Sequence, residues 1–82
     1  MYQSVSEPIE AYVIYKPDRA EPVLHAFRWR DRRYQITSIN LIHSEQSGRT
    51  RFVCYSVSCG CNSFRIRLDT ERLRWMLDAI EV

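Results

Sequence analysis

The chain has 82 residues, of which 45% are hydrophobic and 27% charged, with only two glycines and three prolines. This composition excludes a disordered chain, and the length allows one small domain with a modest core. No apolar run approaches the ~20 residues of a membrane span, and the N-terminus lacks the features of a signal peptide. Three cysteines, an odd number, do not fit a disulfide framework, so we expect a reduced cytoplasmic protein without a membrane partner.

The net charge of +2 is unevenly distributed. Residues 1–24 hold two basic and four acidic residues, whereas residues 25–82 hold ten arginines and six acidic residues. Eleven of the twelve basic residues are arginine. Guanidinium groups bind phosphates and carboxylates in a forked geometry, which suits a recognition surface. The alternative is that the arginines only line exposed strand faces and keep the protein dissolved.

The first part of the chain predicts one short strand. Residues 1–10 show no periodicity and contain Pro8, which is typical of a flexible lead-in to a single β domain of residues 11–82. Residues 11–15 are apolar on both faces, so this strand is either covered or pairs with another molecule. Residues 16–22 contain two prolines and form a loop.

The segment FRWRDRRYQI predicts a β-hairpin. Phe27 and Trp29 alternate before Asp31, and Tyr34 and Ile36 alternate after it. A turn at residues 31–32 sets Trp29 opposite Tyr34 and Phe27 opposite Ile36, so that the aromatic side chains share one face. The opposite face then carries arginines.

The second arm of this hairpin continues to about residue 43. Its apolar phase changes near residues 38–40, which predicts a bulge or bend that lets the sheet curl. Residues 44–49 are polar and predict a turn.

A second hairpin is predicted around residues 59–60, where glycine is available for positive φ. Pairing outward from this turn sets Val57 opposite Asn62 and Tyr55 opposite Phe64. The apolar residues of both arms then share one face. The other face carries Phe52, Cys54, Ser56, Arg65 and Arg67.

The C-terminal segment fits two structures. Leu73, Met76, Leu77 and Ile80 have the spacing of an amphipathic helix, whereas Trp75 and Leu77 also fit the inner face of a strand with a bulge before Ile80. The sequence therefore predicts an all-β domain, a curled antiparallel sheet or small barrel of about five to six strands built from hairpins. A C-terminal helix would make it α+β.

Aromatic residues and arginines at strand spacing form the motif Phe27-x-Trp29-Arg30-x-Arg32-Arg33-Tyr34-x-Ile36. Residues 52–57, 67–69 and 74–80 are further matches to the same pattern. These segments resemble a family of small uncharacterised bacterial β domains, also found at the C-terminus of Y-family-polymerase-like proteins of mutagenesis systems. The resemblance implies an all-β meander ending in a strand and an association with DNA repair. It implies no catalytic activity.

No metal site is predicted. Cys54, Cys59 and Cys61, with His25 and His43, offer enough ligands for zinc, but the spacing C-x4-C-x-C lacks the paired C-x-x-C of structural zinc sites.

No enzyme is predicted either. A cysteine–histidine pair needs a lowered thiol pKa, an oxyanion hole and an orienting group, and the sequence offers no such set. The two glycines do not form a phosphate-binding loop. We therefore expect a protein without cofactor or small-molecule ligand.

The sequence favours an accessory domain for protein–protein interaction or self-association, with the link to mutagenesis coming from the resemblance. The alternative is a non-specific nucleic-acid-binding module that uses an Arg-rich sheet face. Most aromatic residues fall on the core face, and only Phe52 falls on the basic side. The candidate residues for binding a nucleic acid or a protein partner are Arg28, Arg30, Arg32, Arg33, Phe52, Arg65 and Arg67.

Overall fold

Eight strands in two antiparallel sheets make up the protein, and this computed structural model describes residues 1–82. The strands are β1 (Tyr2–Pro8), β2 (Glu10–Ile14), β3 (Val23–Trp29), β4 (Arg32–Gln35), β5 (Ser38–Ser47), β6 (Thr50–Cys59), β7 (Asn62–Asp69) and β8 (Arg74–Glu81). The large sheet has the order β1-β8-β7-β6-β5, and the small sheet has the order β2-β3-β4. The all-β prediction is confirmed, and the sheets do not close into a barrel. The structure contains no helix that could cross a membrane.

The strand number exceeds the predicted five to six because two extended segments pass from one sheet to the other. Only Ile9 separates β1 from β2, and only Ile36 and Thr37 separate β4 from β5. Backbone hydrogen bonds hold both corners, from Ile9 N to Trp75 O at 3.1 Å and from Thr37 N to Ser58 O at 2.8 Å. Strands that switch sheets at such bends are a common way to build the corner of a two-layer β structure.

The predicted flexible lead-in, residues 1–10, is instead part of the sheets. Residues 2–8 form β1, which pairs with β8 along its length, and Glu10 begins β2. A bulge interrupts β1 between Ser4 and Glu7, and Ser6 has a φ of 53°. Because a bulge breaks the two-residue alternation of side chains, the segment showed no strand periodicity in the sequence.

The first predicted hairpin forms as β3 and β4, with its turn one residue earlier than expected. Arg30 and Asp31 occupy the turn, with φ of 51° and 61°. Two successive positive values are typical of a type I′ turn, which matches the twist of the flanking strands. Phe27 therefore pairs with Tyr34 rather than with Ile36.

The second predicted hairpin forms as β6 and β7, with its turn one residue later than expected. Gly60 has a φ of 63° at the first turn position, where a side chain would cause strain. Tyr55 consequently pairs with Ile66 rather than with Phe64. A turn shift of one residue changes each partner by two positions, so the predicted buried faces of both hairpins are retained.

The predicted bend near residues 38–40 is present as a register shift between Ile39 and Leu41. The predicted polar turn at residues 44–49 is shorter than expected, because β5 continues to Ser47. Only Gly48 and Arg49 lie between β5 and β6.

The C-terminal segment is strand β8, so the helical alternative is wrong. The turn before it is held by Asp69, whose Oδ1 accepts hydrogen bonds from the backbone N–H groups of Glu71 and Arg72 at 3.0 and 3.1 Å. The bulge expected before Ile80 is present. Arg65 pairs with Ala79 and Ile66 pairs with Leu77, so Asp78 is the extra residue of the bulge.

The core lies between the two sheets and joins them. Phe27 of the small sheet stacks on Tyr34 with ring centroids 5.0 Å apart, and both rings meet Phe64 of the large sheet edge-on at 5.2 Å. Tyr55 is buried, and its hydroxyl donates a hydrogen bond to the carbonyl oxygen of Pro22 at 2.8 Å. The buried cluster comprises Leu24, Phe27, Val53, Tyr55, Val57, Phe64, Ile66, Leu68 and Leu77.

Replacing Leu77 and Leu73 separately by alanine distinguishes the strand from the helix. Leu77 is fully buried and Leu73 is 70% exposed, whereas a helix would place these residues on the same face. We expect Leu77→Ala to lower the free energy of unfolding by about 2–5 kcal/mol and Leu73→Ala to change it by less than about 0.5 kcal/mol. Urea unfolding followed by tryptophan fluorescence measures both, and equal losses would contradict the strand.

Candidate interaction surfaces

The seven residues proposed for binding do not form one surface. Each sheet packs one face on the shared core, so the outer faces of the two sheets lie on different sides of the molecule. Arg28 and Arg33 are direct partners on the outer face of the small sheet. The other group, Phe52, Arg65 and Arg67, lies on the outer face of the large sheet, where Arg65 pairs with Ser56 and Arg67 pairs with Cys54.

Arg30 is held by an acidic residue that the sequence did not single out. Its Nη2 lies 2.7 Å from Oε2 of Glu7, and the indole Nε1 of Trp29 donates a hydrogen bond to Oε1 of the same carboxylate at 2.9 Å. The hydrogen bond from Arg30, followed by that from Trp29, holds the pKa of Glu7 below its ordinary value of 4.5. This contact, the Glu7 clasp, joins β1 of the large sheet to the hairpin of the small sheet.

The other three arginines of the hairpin make different contacts and lie on two faces of the hairpin. Arg28 lies 3.5 Å from the carboxylate of Asp31. Arg33 covers the ring of Tyr12, with its guanidinium carbon 4.8 Å from the ring centroid. Arg32 lies on the same side of the hairpin as Tyr34, with its guanidinium carbon 5.8 Å from that ring centroid. The four arginines of this hairpin therefore do not form one continuous basic surface.

The outer face of the large sheet combines arginines with aromatic rings. The Arg65 guanidinium carbon lies 3.9 Å from the ring centroid of Tyr2, and that of Arg67 lies 4.9 Å from the ring centroid of Phe52. Arg67 also lies 3.7 Å from Asp78. Arg65 makes no ion pair. Of the candidate residues here, Arg65 thus has the charge most available to a partner.

The three cysteines are free and are not brought together. Cys54 faces outward, Cys59 packs against the core, and Cys61 is exposed in the turn. Burial raises the pKa of Cys54 to about 11, with a further contribution from the Glu45 carboxylate, and burial alone raises the pKa of Cys59 to about 11. A neutral thiol is a weak nucleophile, so neither is activated for covalent catalysis.

Open strand edges are the other prominent surface. The terminal strands are β1 and β5 in the large sheet and β2 and β4 in the small sheet. Along and just after β2, Tyr12 is 39% exposed, Ile14 46% and Tyr15 70%. On β5, Leu41 is 55% exposed. The β2 edge therefore carries the larger group of exposed apolar side chains.

No protein-family model, curated protein or solved structure matches the chain. The resemblance to the bacterial β domains of mutagenesis systems accordingly stays a prediction.

The Glu7 clasp predicts a specific dependence of stability on pH. Because folding lowers the pKa of Glu7, its contribution to stability is present above pH 4.5 and is lost as the pH falls through the lower folded value. In Glu7→Gln the melting temperature should therefore fall less steeply below pH 4.5 than in the wild type. Part of the fall should remain, because the pKa of Asp69 is also lowered. Thermal unfolding over an acid pH series measures the slope. An unchanged slope would contradict the clasp, and Asp18→Asn in the loop after β2 is the control.

Proposed function

We propose that this protein is a non-enzymatic interaction module that assembles with a second copy of itself through the open edge of β2. The observation that supports the proposal is that β2 is a terminal strand and carries exposed apolar side chains. Tyr12 and Ile14 lie on the strand, and Tyr15 follows it directly. An edge strand offers unpaired backbone N–H and C=O groups to another strand, and most proteins protect such edges with charge or proline. The apolar segment 11–15 lacks both.

The sequence of this edge is complementary to itself. Antiparallel pairing centred on Val13 sets Glu10 of one copy opposite Lys16 of the other and Tyr12 opposite Ile14. Opposite charges at the ends and apolar pairs in the middle are the combination that stabilises neighbouring strands. A two-fold axis through Val13 uses the same patch on both copies, which is the usual geometry of a closed dimer.

Assembly through β2 also compensates for the small size of the domain. Only 12 of the 82 residues are buried, and the small sheet has three strands, of which β4 has four residues. Joining two small sheets edge to edge gives a continuous sheet of six strands and removes two open edges. Small domains gain stability from oligomerisation because a single core of this size is modest.

Charge reversal tests the proposed register. Glu10→Lys alone and Lys16→Glu alone each place like charges opposite one another across the two-fold axis, so both should weaken the dimer. The double variant Glu10→Lys/Lys16→Glu restores opposite charges and should recover the dimer. Sedimentation equilibrium measures the association constant. A monomeric wild type, or a double variant no better than the singles, would overturn this register.

The matched control compares two exposed apolar residues on different edges. Ile14→Lys places a charge beside the centre of the β2 contact, opposite Tyr12 of the other copy, and should abolish dimerisation. Leu41→Lys places a charge on the edge strand β5 of the large sheet and should leave the dimer intact. Loss of the dimer only in Leu41→Lys would move the interface to β5.

The outer face of the large sheet supports a second function, the binding of single-stranded nucleic acid. The observation that supports it is Arg65, which has no acidic partner and whose guanidinium carbon lies 3.9 Å from the ring centroid of Tyr2. Arg67 and Phe52 repeat this pairing two residues further along β7. A sheet face with aromatic rings and guanidinium groups binds phosphates and stacks bases without regard to sequence.

Two arginine variants test this second function. Arg65→Ala should weaken binding of a labelled single-stranded oligonucleotide and lower the slope of log affinity against log salt by about 1, because one phosphate contact is lost. Arg30→Ala, whose charge is already paired with Glu7, should leave binding unchanged. Fluorescence anisotropy at low and physiological salt measures both. Absence of binding at low salt would exclude the function.

A cytoplasmic location and an association with DNA repair complete the proposal. The three free cysteines support a reducing environment. The motif beginning at Phe27 supports the association with mutagenesis proteins through its resemblance to their terminal domains.

A further inference from the structure

We propose that His43, Glu45 and Cys54 form a zinc-binding site on the outer face of the large sheet. His43 and Glu45 are two residues apart on β5, so their side chains share a face. Cys54 on β6 is the direct antiparallel partner of His43. The ligand atoms of the three side chains, one imidazole nitrogen, one carboxylate oxygen and one thiol sulfur, lie within 4.8 Å of one another.

These separations are close to those that zinc requires. Zinc bonds of 2.0–2.3 Å in a tetrahedron set neighbouring ligand atoms about 3.3–3.8 Å apart. Nε2 of His43 and Oε1 of Glu45 are already 3.4 Å apart. The His43 and Glu45 side chains are 46% and 57% exposed. Each can therefore rotate to bring its ligand atom closer to the sulfur of Cys54 without disturbing the core.

The ligand set selects the metal. One nitrogen, one sulfur and one oxygen suit Zn²⁺, whereas Mg²⁺ and Ca²⁺ prefer oxygen ligands alone. Three protein ligands leave the fourth tetrahedral position to water, because the three side chains border an open cavity of about 250 Å³. The site is therefore of the open type with an exchangeable ligand.

The charges around the site are compatible with a dication. Binding of the metal releases the thiol proton of Cys54 to solvent, and the resulting thiolate and the carboxylate of Glu45 together offset the two positive charges of the metal. Two arginines border the same region, but Arg67 is paired with Asp78 at 3.7 Å, and Arg65 is drawn over the ring of Tyr2. Asp78 also lines the cavity and can accept a hydrogen bond from the bound water.

This ligand set differs from the one weighed from the sequence. The sequence-based set combined Cys54, Cys59 and Cys61 with His25 and His43, and of these only His43 and Cys54 line this cavity. His43 and Cys54 are eleven positions apart in the chain, and they meet because of the register between β5 and β6. The site is independent of the β2 edge, which belongs to the other sheet.

Cobalt titration of the reduced full chain tests the proposal. Co²⁺ replaces Zn²⁺ and reports a thiolate ligand through a sulfur-to-cobalt charge-transfer band. In the variant Cys59→Ser/Cys61→Ser, which retains only Cys54, one equivalent of Co²⁺ should give this band, and Zn²⁺ should displace it. Adding Cys54→Ser to that variant should abolish the band. Absence of the band in the double variant, or its persistence without Cys54, would overturn the site.

The two histidines provide the matched control. His43→Ala and Glu45→Gln should each lower the zinc affinity by more than about 100-fold, since loss of an outer-shell partner alone costs 10–100-fold. His25→Ala, an exposed histidine on the small sheet, should leave it unchanged. Competition against a chromophoric chelator measures the affinity, and circular dichroism verifies folding of each variant. Equal effects of His43→Ala and His25→Ala on the zinc affinity would show that the metal binds only adventitiously at surface histidines, which would contradict the proposal.

Discussion

The packing of Phe27 and Tyr34 against Phe64 is the contact on which the rest of the structure depends. It brings the small sheet onto the large one, with the ring centroids of Phe27 and Tyr34 each 5.2 Å from that of Phe64. A chain of this length has few other large side chains to bury, and aromatic rings bury the most area per residue. The bends at Ile9 and at residues 36–37 allow the same backbone to serve both sheets. The outer faces and the open edges are consequences of this arrangement.

Three of the six arginines proposed for nucleic-acid binding have acidic partners within the molecule. Arg30 binds Glu7, Arg28 lies near Asp31, and Arg67 lies near Asp78. Arg32, Arg33 and Arg65 have no acidic partner, but Arg32 and Arg33 belong to the small sheet and Arg65 to the large one, so the unpaired charges do not form one continuous basic face. This distribution is why assembly through an apolar edge is better supported than binding through a continuous basic face.

The proposed edge pairing and the proposed metal binding lie on different elements and depend on different interactions. Edge pairing at β2 depends on unpaired backbone groups and on apolar side chains, which the small sheet exposes at its terminal strand. Metal binding depends on three side chains whose ligand atoms converge across the β5–β6 ladder. A dimer through β2 leaves this ladder free, so both can occur in one molecule.

The sequence by itself determined which residues face the core, because alternation along a strand is a local property. The shared buried face of Val53, Tyr55 and Phe64 and the bulges near residue 39 and before Ile80 follow from that alternation. The tertiary structure alone decided the pairing between strands. The turn positions at residues 30–31 and 60–61 and the pairing of strand β1 depend on which backbone groups meet across a sheet. The Glu7 clasp depends on side chains that meet between the two sheets. The meeting of His43 and Cys54 depends on the tertiary structure as well, since hydrogen bonding between strands fixes it and the spacing of residues along the chain does not.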